Sequence, residues 1–188
     1  MTADSPQQPS GENIVLIGFM GSGKSTVGRM LARRLRFHFL DTDHLLEERA
    51  QMSIKSIFTR HGEAHFRDRE TATLESLLNT RRHVIATGGG IVTQPRNLPL
   101  LRQLGWVVLL QADPDEIFRR VARNKDRPLL QVSDPRAQVD TMLAARQPLY
   151  EAAAQFRVDS TGMQREDVAD AVAEEARRYF GWATPEGV

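Results

Sequence analysis

The chain has 188 residues, 40% of them apolar, with 25 Lys and Arg against 24 Asp and Glu for a formal charge of +1, and no cysteine. That length and apolar share give one domain with a sizeable core and exclude global disorder. The even charge argues against nucleic-acid binding through bulk positive charge, and the lack of Cys excludes a disulfide scaffold, a thiolate zinc site and a cysteine nucleophile. No apolar run is long enough to span a bilayer, and the first residues lack the basic start and apolar core of a signal peptide. A soluble, cytoplasmic protein is the expectation.

Residues 1–12 are polar, carry Pro6, Pro9 and Gly11, and read as a loose tail. The apolar run 13–19 suits a buried parallel strand. Val27, Leu31 and Leu35 then recur at four-residue spacing and predict one apolar helix face, with Arg29, Arg33 and Arg36 on a solvated one. Residues 37–40 predict a second strand that ends in Asp41-Thr42-Asp43. A helical stretch over 44–79 is broken near Met52-Ser53 and again at Gly62, and Ser53 is placed to cap the segment 54–60. A third strand at 84–86 runs into Gly88-Gly89-Gly90.

Residues 95–104 predict a helix that Pro99 weakens early, and 106–110 a fourth strand. Asp113-Pro114 opens a further helix, cap first and Pro in the first turn. Residues 124–135 are polar, hold two prolines with Lys125 and Arg127, and read as a surface loop of lid length. A helix over 137–154, interrupted by Arg146-Gln147-Pro148-Leu149-Tyr150, a short strand at 156–158 and a closing helix at 167–180 complete the chain, with 181–188 as a tail. Strand and helix alternate throughout, which predicts an α/β fold with a parallel sheet covered on both faces.

Gly18-Phe19-Met20-Gly21-Ser22-Gly23-Lys24-Ser25 matches G-x-x-x-x-G-K-S/T in full, after a strand and before an amphipathic helix. The glycines let successive N–H groups curl around phosphate oxygens, and the helix start adds partial positive charge. Lys24 reaches the β- and γ-phosphates and Ser25 serves Mg²⁺. This establishes a nucleoside triphosphate site without naming the reaction. A guanine-reading GTPase calls for N-K-x-D, whereas Asn124-Lys125-Asp126-Arg127 puts the Asp one place early.

Asp41 and Asp43 stand at a strand's C-terminal end, where α/β proteins bind ligands. Two close carboxylates suit two tasks, one toward Mg²⁺ and one accepting the proton of an attacking hydroxyl. Capping by Asp43 of a helix that starts at His44 is the plainer alternative. Arg67 in Phe66-Arg67-Asp68-Arg69-Glu70, and Arg146, would grip a carboxylate if they converged on a cleft, and would otherwise be solvated. Gly88-Gly89-Gly90 offers unobstructed backbone N–H groups or is simply a tight turn. His61 and His65 are four apart but lack the H-E-x-x-H form and read as helix surface.

Taken in order, the Walker loop, D-T-D, F-R-x-x-E, G-G-G, R-P-L-L and R-x-P-L-Y resemble the shikimate kinases, over a layout from about residue 13 to 180. The resemblance implies a three-layer α/β/α nucleoside-monophosphate-kinase fold with five parallel strands, a substrate-binding segment at about 42–70 and a lid at about 124–135. It implies MgATP-dependent phosphorylation of shikimate at the 3-hydroxyl. By the same resemblance Asp43 is the base and Asp41 the partner near Mg²⁺ with Ser25. Arg67 and Arg146 hold the substrate carboxylate, Glu70 supports Arg67, and Gly88, Gly89 and Gly90 bind the substrate, Gly89 as backbone donor. Phe58 and Phe66 wall the pocket. Gly21, Ser22, Gly23, Lys24, Ser25 and Thr26 hold ATP, Arg120 packs on adenine with Gln164 nearby, and Arg127 is a catalytic lid arginine. The expected partners are ATP and shikimate, with no nucleic acid or membrane, and the expected assembly is a monomer. A gluconate-type sugar-acid kinase and a non-catalytic ligand-sensing module are the alternatives.

Overall fold

A computed structural model describes residues 12–122 and 132–182. Five strands form one wholly parallel sheet in the order β2-β3-β1-β4-β5: β1 (Ile14–Ile17), β2 (His38–Asp41), β3 (His83–Ala86), β4 (Trp106–Gln111) and β5 (Phe156–Asp159). The helices are α1 (Lys24–Leu35), α2 (Thr42–Ala50), α3 (Ile54–Ser76), α4 (Asn97–Leu104), α5 (Pro114–Ala122), α6 (Pro135–Ala153) and α7 (Arg165–Phe180), with a 3₁₀ turn at Ile91–Thr93.

The period of two along each strand divides the core into two layers. Val15, Ile17, Ile85, Val107 and Leu109 face one side, with residues of α3, α4, α5 and α6. Ile14, Leu16, Val84, Trp106, Val108 and Leu110 face the other, with α1 and α7. Both faces of β1 and β4 are therefore dry, which is why their sequences read as unbroken apolar runs. None of the described helices is long and apolar enough to cross a membrane.

The strand and helix expectations hold with shifted ends. The break at Gly62 is real: α3 runs through it with Gly62 at φ 79°, ψ 173°, outside helical space. Ser53 caps α3 by accepting from the Ser56 N–H at 3.2 Å. Two readings change. The segment at Pro148 does not interrupt α6, which continues past it to Ala153, with Tyr150 beyond it anchored in the core. The cap of α2 is Asp41 rather than Asp43, so Thr42 and Asp43 already lie inside that helix.

The two poles of the sheet are built differently. At the N-terminal pole, fully buried Asn13 donates to the carbonyls of Thr80 at 2.8 Å and Leu104 at 2.9 Å, and accepts from the His83 N–H at 3.0 Å. It thereby fastens the approaches to β1, β3 and β4. Beside it Phe37, Trp106, Phe156, Tyr179, Phe180 and Trp182 form an aromatic cluster, and the Trp182 indole donates to Glu12 at 3.1 Å. The C-terminal pole is loops. There the chain turns one way from β1 and the other way from β3, the switch point at which α/β sheets bind ligands.

Replacing Asn13 by Ala removes the side-chain partner of the buried Leu104 carbonyl and of the part-buried Thr80 carbonyl and His83 N–H, and should destabilise the fold by about 2–3 kcal/mol. Urea unfolding should show a lower midpoint with an unchanged slope.

Candidate active site

The loop between β1 and α1 opens the cleft. Gly23 caps α1 at φ 94°, a left-handed conformation that favours glycine. The Ser22 N–H closes a turn on the Phe19 carbonyl at 3.2 Å. Lys24 is buried, and its ammonium donates to the loop carbonyls of Gly18 at 2.7 Å and Phe19 at 2.9 Å. The Ser22 hydroxyl is buried and has no hydrogen-bond partner among the described residues. A cleft of about 310 Å³ extends from this loop past Asp41, Asp43, Thr87, Gly89 and Arg120 to Ser160, Met163 and Arg165.

Asp41 is fixed at both carboxylate oxygens. Oδ2 accepts from the Ser25 hydroxyl at 2.6 Å and Oδ1 from the Asp43 N–H at 3.1 Å. Capping α2 and facing the phosphate loop are thus one arrangement. Asp43, in the first turn of α2, lines the same cleft.

The turn after β3 is the meeting point. A Cβ on Gly88 would lie 2.5 Å from Asp43 Oδ1 and 2.8 Å from Glu70 Oε1, one on Gly89 would press on the Met20 N–H, and one on Gly90 would collide with the Arg67 guanidinium. The three glycines are therefore a requirement of close approach. Arg67, 5% exposed, donates from Nη1 to Glu70 Oε2 at 2.6 Å and from Nη2 to Glu63 Oε1 at 2.8 Å. Arg146 reaches the same turn from α6, its Nη1 donating to the Gly89 carbonyl at 3.3 Å, and the Tyr150 hydroxyl donates to that carbonyl too. The two arginines that the sequence left unplaced converge. Behind the turn Thr71 donates to Asn97 at 2.8 Å and Asn97 to the Ile91 carbonyl at 2.8 Å, tying α3 to the 3₁₀ turn. Phe58 and Phe66 have ring centres 4.6 Å apart beside Leu46 and Ile57.

Burial pushes the Glu70 carboxyl up to about 7; Arg67 opposes this and the charge of Asp43 adds to it. Burial acts to lower Arg67, but Glu70 and Glu63 together carry it above its ordinary value. Burial also raises Tyr150, to about 12, so its hydroxyl stays a donor.

On the far wall, Arg120 donates to the Gly21 carbonyl at 3.2 Å and pairs with Glu116, which accepts from the Gly162 N–H at 3.2 Å. This chain draws residues 160–165 to the phosphate loop. Met163 and Arg165 line the cleft, and Gln164 between them is the N-cap residue of α7. Arg127 and most of the lid expected at 124–135 lie outside the described residues. Sequence reasoning missed Tyr150, Glu63, Thr87 and Met163. Tyr150 and Glu63 had a signal, each four residues from an arginine and so on its helix face.

Residues 20–177 match the family model described as Shikimate kinase. The chain is 45% identical to the shikimate kinase of Caldanaerobacter subterraneus subsp. tengcongensis, over 86% of this chain and 94% of that protein. It resembles the solved shikimate kinase from Acinetobacter baumannii in complex with shikimate, at TM-score 0.84 and 39% identity, over 90% of this chain and 93% of that one. A gluconokinase from Sinorhizobium meliloti, at TM-score 0.57 and 16% identity over 94% and 100% of the two chains, shares the fold.

Because the folded Glu70 titrates near 7 and an unfolded carboxyl near 4.5, the folded state binds the extra proton between those values. Its stabilising contribution is complete below the lower value and lost as pH rises through the upper one. Chemical unfolding should show Glu70→Gln gaining on wild type across that window and holding level above it; a gap that widens in favour of wild type would mean the carboxyl sits below its ordinary range.

Proposed function

The chain belongs to the shikimate kinase family, and from that premise we propose that this cleft transfers the γ-phosphoryl group of ATP to the 3-hydroxyl of shikimate, giving shikimate 3-phosphate and ADP. The observation that carries the reading is the shared floor of the cleft: the phosphate loop, Asp43 and two buried guanidiniums all meet the Gly88–Gly90 turn. Such an arrangement accepts a phosphate chain at one end and an acceptor carrying both a hydroxyl and a carboxylate at the other.

In this reading the loop N–H groups and the buried Ser22 hydroxyl face phosphate oxygens, and Lys24 exchanges loop carbonyls for the transferring phosphoryl group. Asp43 orients the attacking hydroxyl and takes its proton as the new O–P bond forms and the bond to the β-phosphate oxygen breaks. Arg67 and Arg146 supply paired N–H donors to the acceptor carboxylate, and Phe58 and Phe66 give its ring an apolar wall. Arg120, Met163 and Arg165 border the base end, with Gln164 beside them. Arg127 is assigned to the phosphate side from the lid.

The donor set fits Mg²⁺. Ser25 Oγ and Asp41 Oδ2 are hard oxygens 2.6 Å apart beside the phosphate loop. Mg²⁺ takes few protein ligands and completes its shell with phosphate and water. When bound it neutralises charge on the phosphates.

Coupled ADP release should require shikimate, with gluconate and an acceptor-free control both inactive. Activity with gluconate alone would move the assignment to a sugar-acid kinase. Asp43→Asn should lower kcat by about 10²–10⁴-fold while nucleotide binding, followed by calorimetry with ADP, persists. Near-wild-type turnover in that variant would remove Asp43 as the base.

A further inference from the structure

All three guanidinium nitrogens of Arg67 have carboxylate partners before any acceptor arrives. Its Nη1 bonds Glu70 Oε2 at 2.6 Å, while Nε at 3.2 Å and Nη2 at 2.8 Å both bond Glu63 Oε1. The Nε–Nη2 edge is one of the two-pronged faces with which a guanidinium receives a carboxylate, and here a carboxylate of the same helix already occupies it.

The two partners of Arg67 differ in what their departure would cost. The Glu70 side chain is 3% exposed, so leaving Arg67 would strand a buried charge. The Glu63 side chain is 56% exposed, and an ion pair with one solvated member is weak. Glu63 also follows Gly62, the non-helical residue of α3, around which a Cβ would meet nothing within 4 Å. The exchangeable carboxylate thus sits at the solvent rim, next to a backbone pivot with open space around it.

We propose that Glu63 is a built-in stand-in for the acceptor carboxylate: it holds the Nε–Nη2 edge of Arg67 in the free enzyme and gives way when an acceptor carboxylate takes that edge, so that it lowers the affinity of the site for carboxylate acceptors. The proposal rests on the assignment of Arg67 to the acceptor carboxylate. A bare carboxylate anion has only that one contact with which to compete against a tethered rival at high effective concentration. An acceptor that also places hydroxyls and a ring offsets the displacement with further contacts. Glu63 therefore lowers the affinity of every acid that takes this edge by about the same factor, and a bare carboxylate, which has no further contact, is left binding most weakly.

The test is calorimetric titration without nucleotide of wild type, Glu63→Gln and Glu63→Ala, using shikimate and cyclohexanecarboxylate, a ring acid that lacks the hydroxyls. Both variants should bind shikimate more tightly, by about two- to fivefold, the range an exposed ion pair supports. Binding of cyclohexanecarboxylate should strengthen by about the same factor. A merely structural role for Glu63 would weaken binding instead. Unchanged or weaker shikimate binding in both variants overturns the proposal. Arg67→Lys serves as the parallel control. If it leaves shikimate binding intact, the carboxylate assignment itself fails; if it weakens binding while the Glu63 variants do not tighten it, the stand-in alone fails.

Discussion

Everything in the cleft depends on a stretch of main chain that carries no side chains. The Gly88–Gly90 turn is approached by an aspartate from α2, a glutamate and an arginine from α3, an arginine and a tyrosine from α6, and the backbone of the phosphate loop. A single methyl on Gly88 would occupy the gap between two carboxylates, and one on Gly90 would push the guanidinium out of its place. The turn is in turn held by what lies beneath it: β3, paired on both sides by β2 and β1, and the Thr71–Asn97–Ile91 chain of hydrogen bonds behind. Steric emptiness at one point is what lets three separate helices contribute to one site.

The second constraint is electrostatic. Lys24, Arg67, Glu70 and Arg146 are all buried or nearly so in a protein whose net charge is close to zero. Each is held by partners within the protein: loop carbonyls for Lys24, two carboxylates for Arg67, a backbone carbonyl for Arg146. Desolvating such groups is costly, and a well-packed apolar cluster of the same volume would serve stability as well or better. What buried charge provides is preorganisation, since donors fixed in advance do not have to reorient when an anion arrives. The raised titration of Glu70 is a sign of the same expense.

How much of this was legible in the sequence follows from how local each feature is. The phosphate loop is contiguous, and its chemistry is written in eight successive residues. That the sheet is covered on both faces followed from the alternation of strand and helix along the chain. The role of Asp41 was half legible: its place at a strand end was clear, but that it would cap α2 and also accept from Ser25 required the fold to bring α1 beside β2. The convergence of Arg67 and Arg146 is wholly tertiary, since nothing in either helix states that the other faces the same glycine turn. Pro148 misled because its local cost was visible while the burial of Tyr150 beyond it was not. Asn13 looked like the start of a strand, and its three long-range partners appear only once the loops at Thr80, His83 and Leu104 are brought together.

The aromatic cluster at the N-terminal pole has a spectroscopic meaning. The chain has two tryptophans, and both belong to it: Trp106 stacks with Phe156 and with Tyr179, and Trp182 stacks on Phe180. The cleft lies at the opposite pole of the sheet, so no indole borders the phosphate loop or the glycine turn. Intrinsic indole emission in this protein is thus a gauge of whether the sheet's base is intact and is largely blind to what enters the cleft. Unfolding can be followed optically in the presence of nucleotide and acid without the ligands writing themselves into the signal.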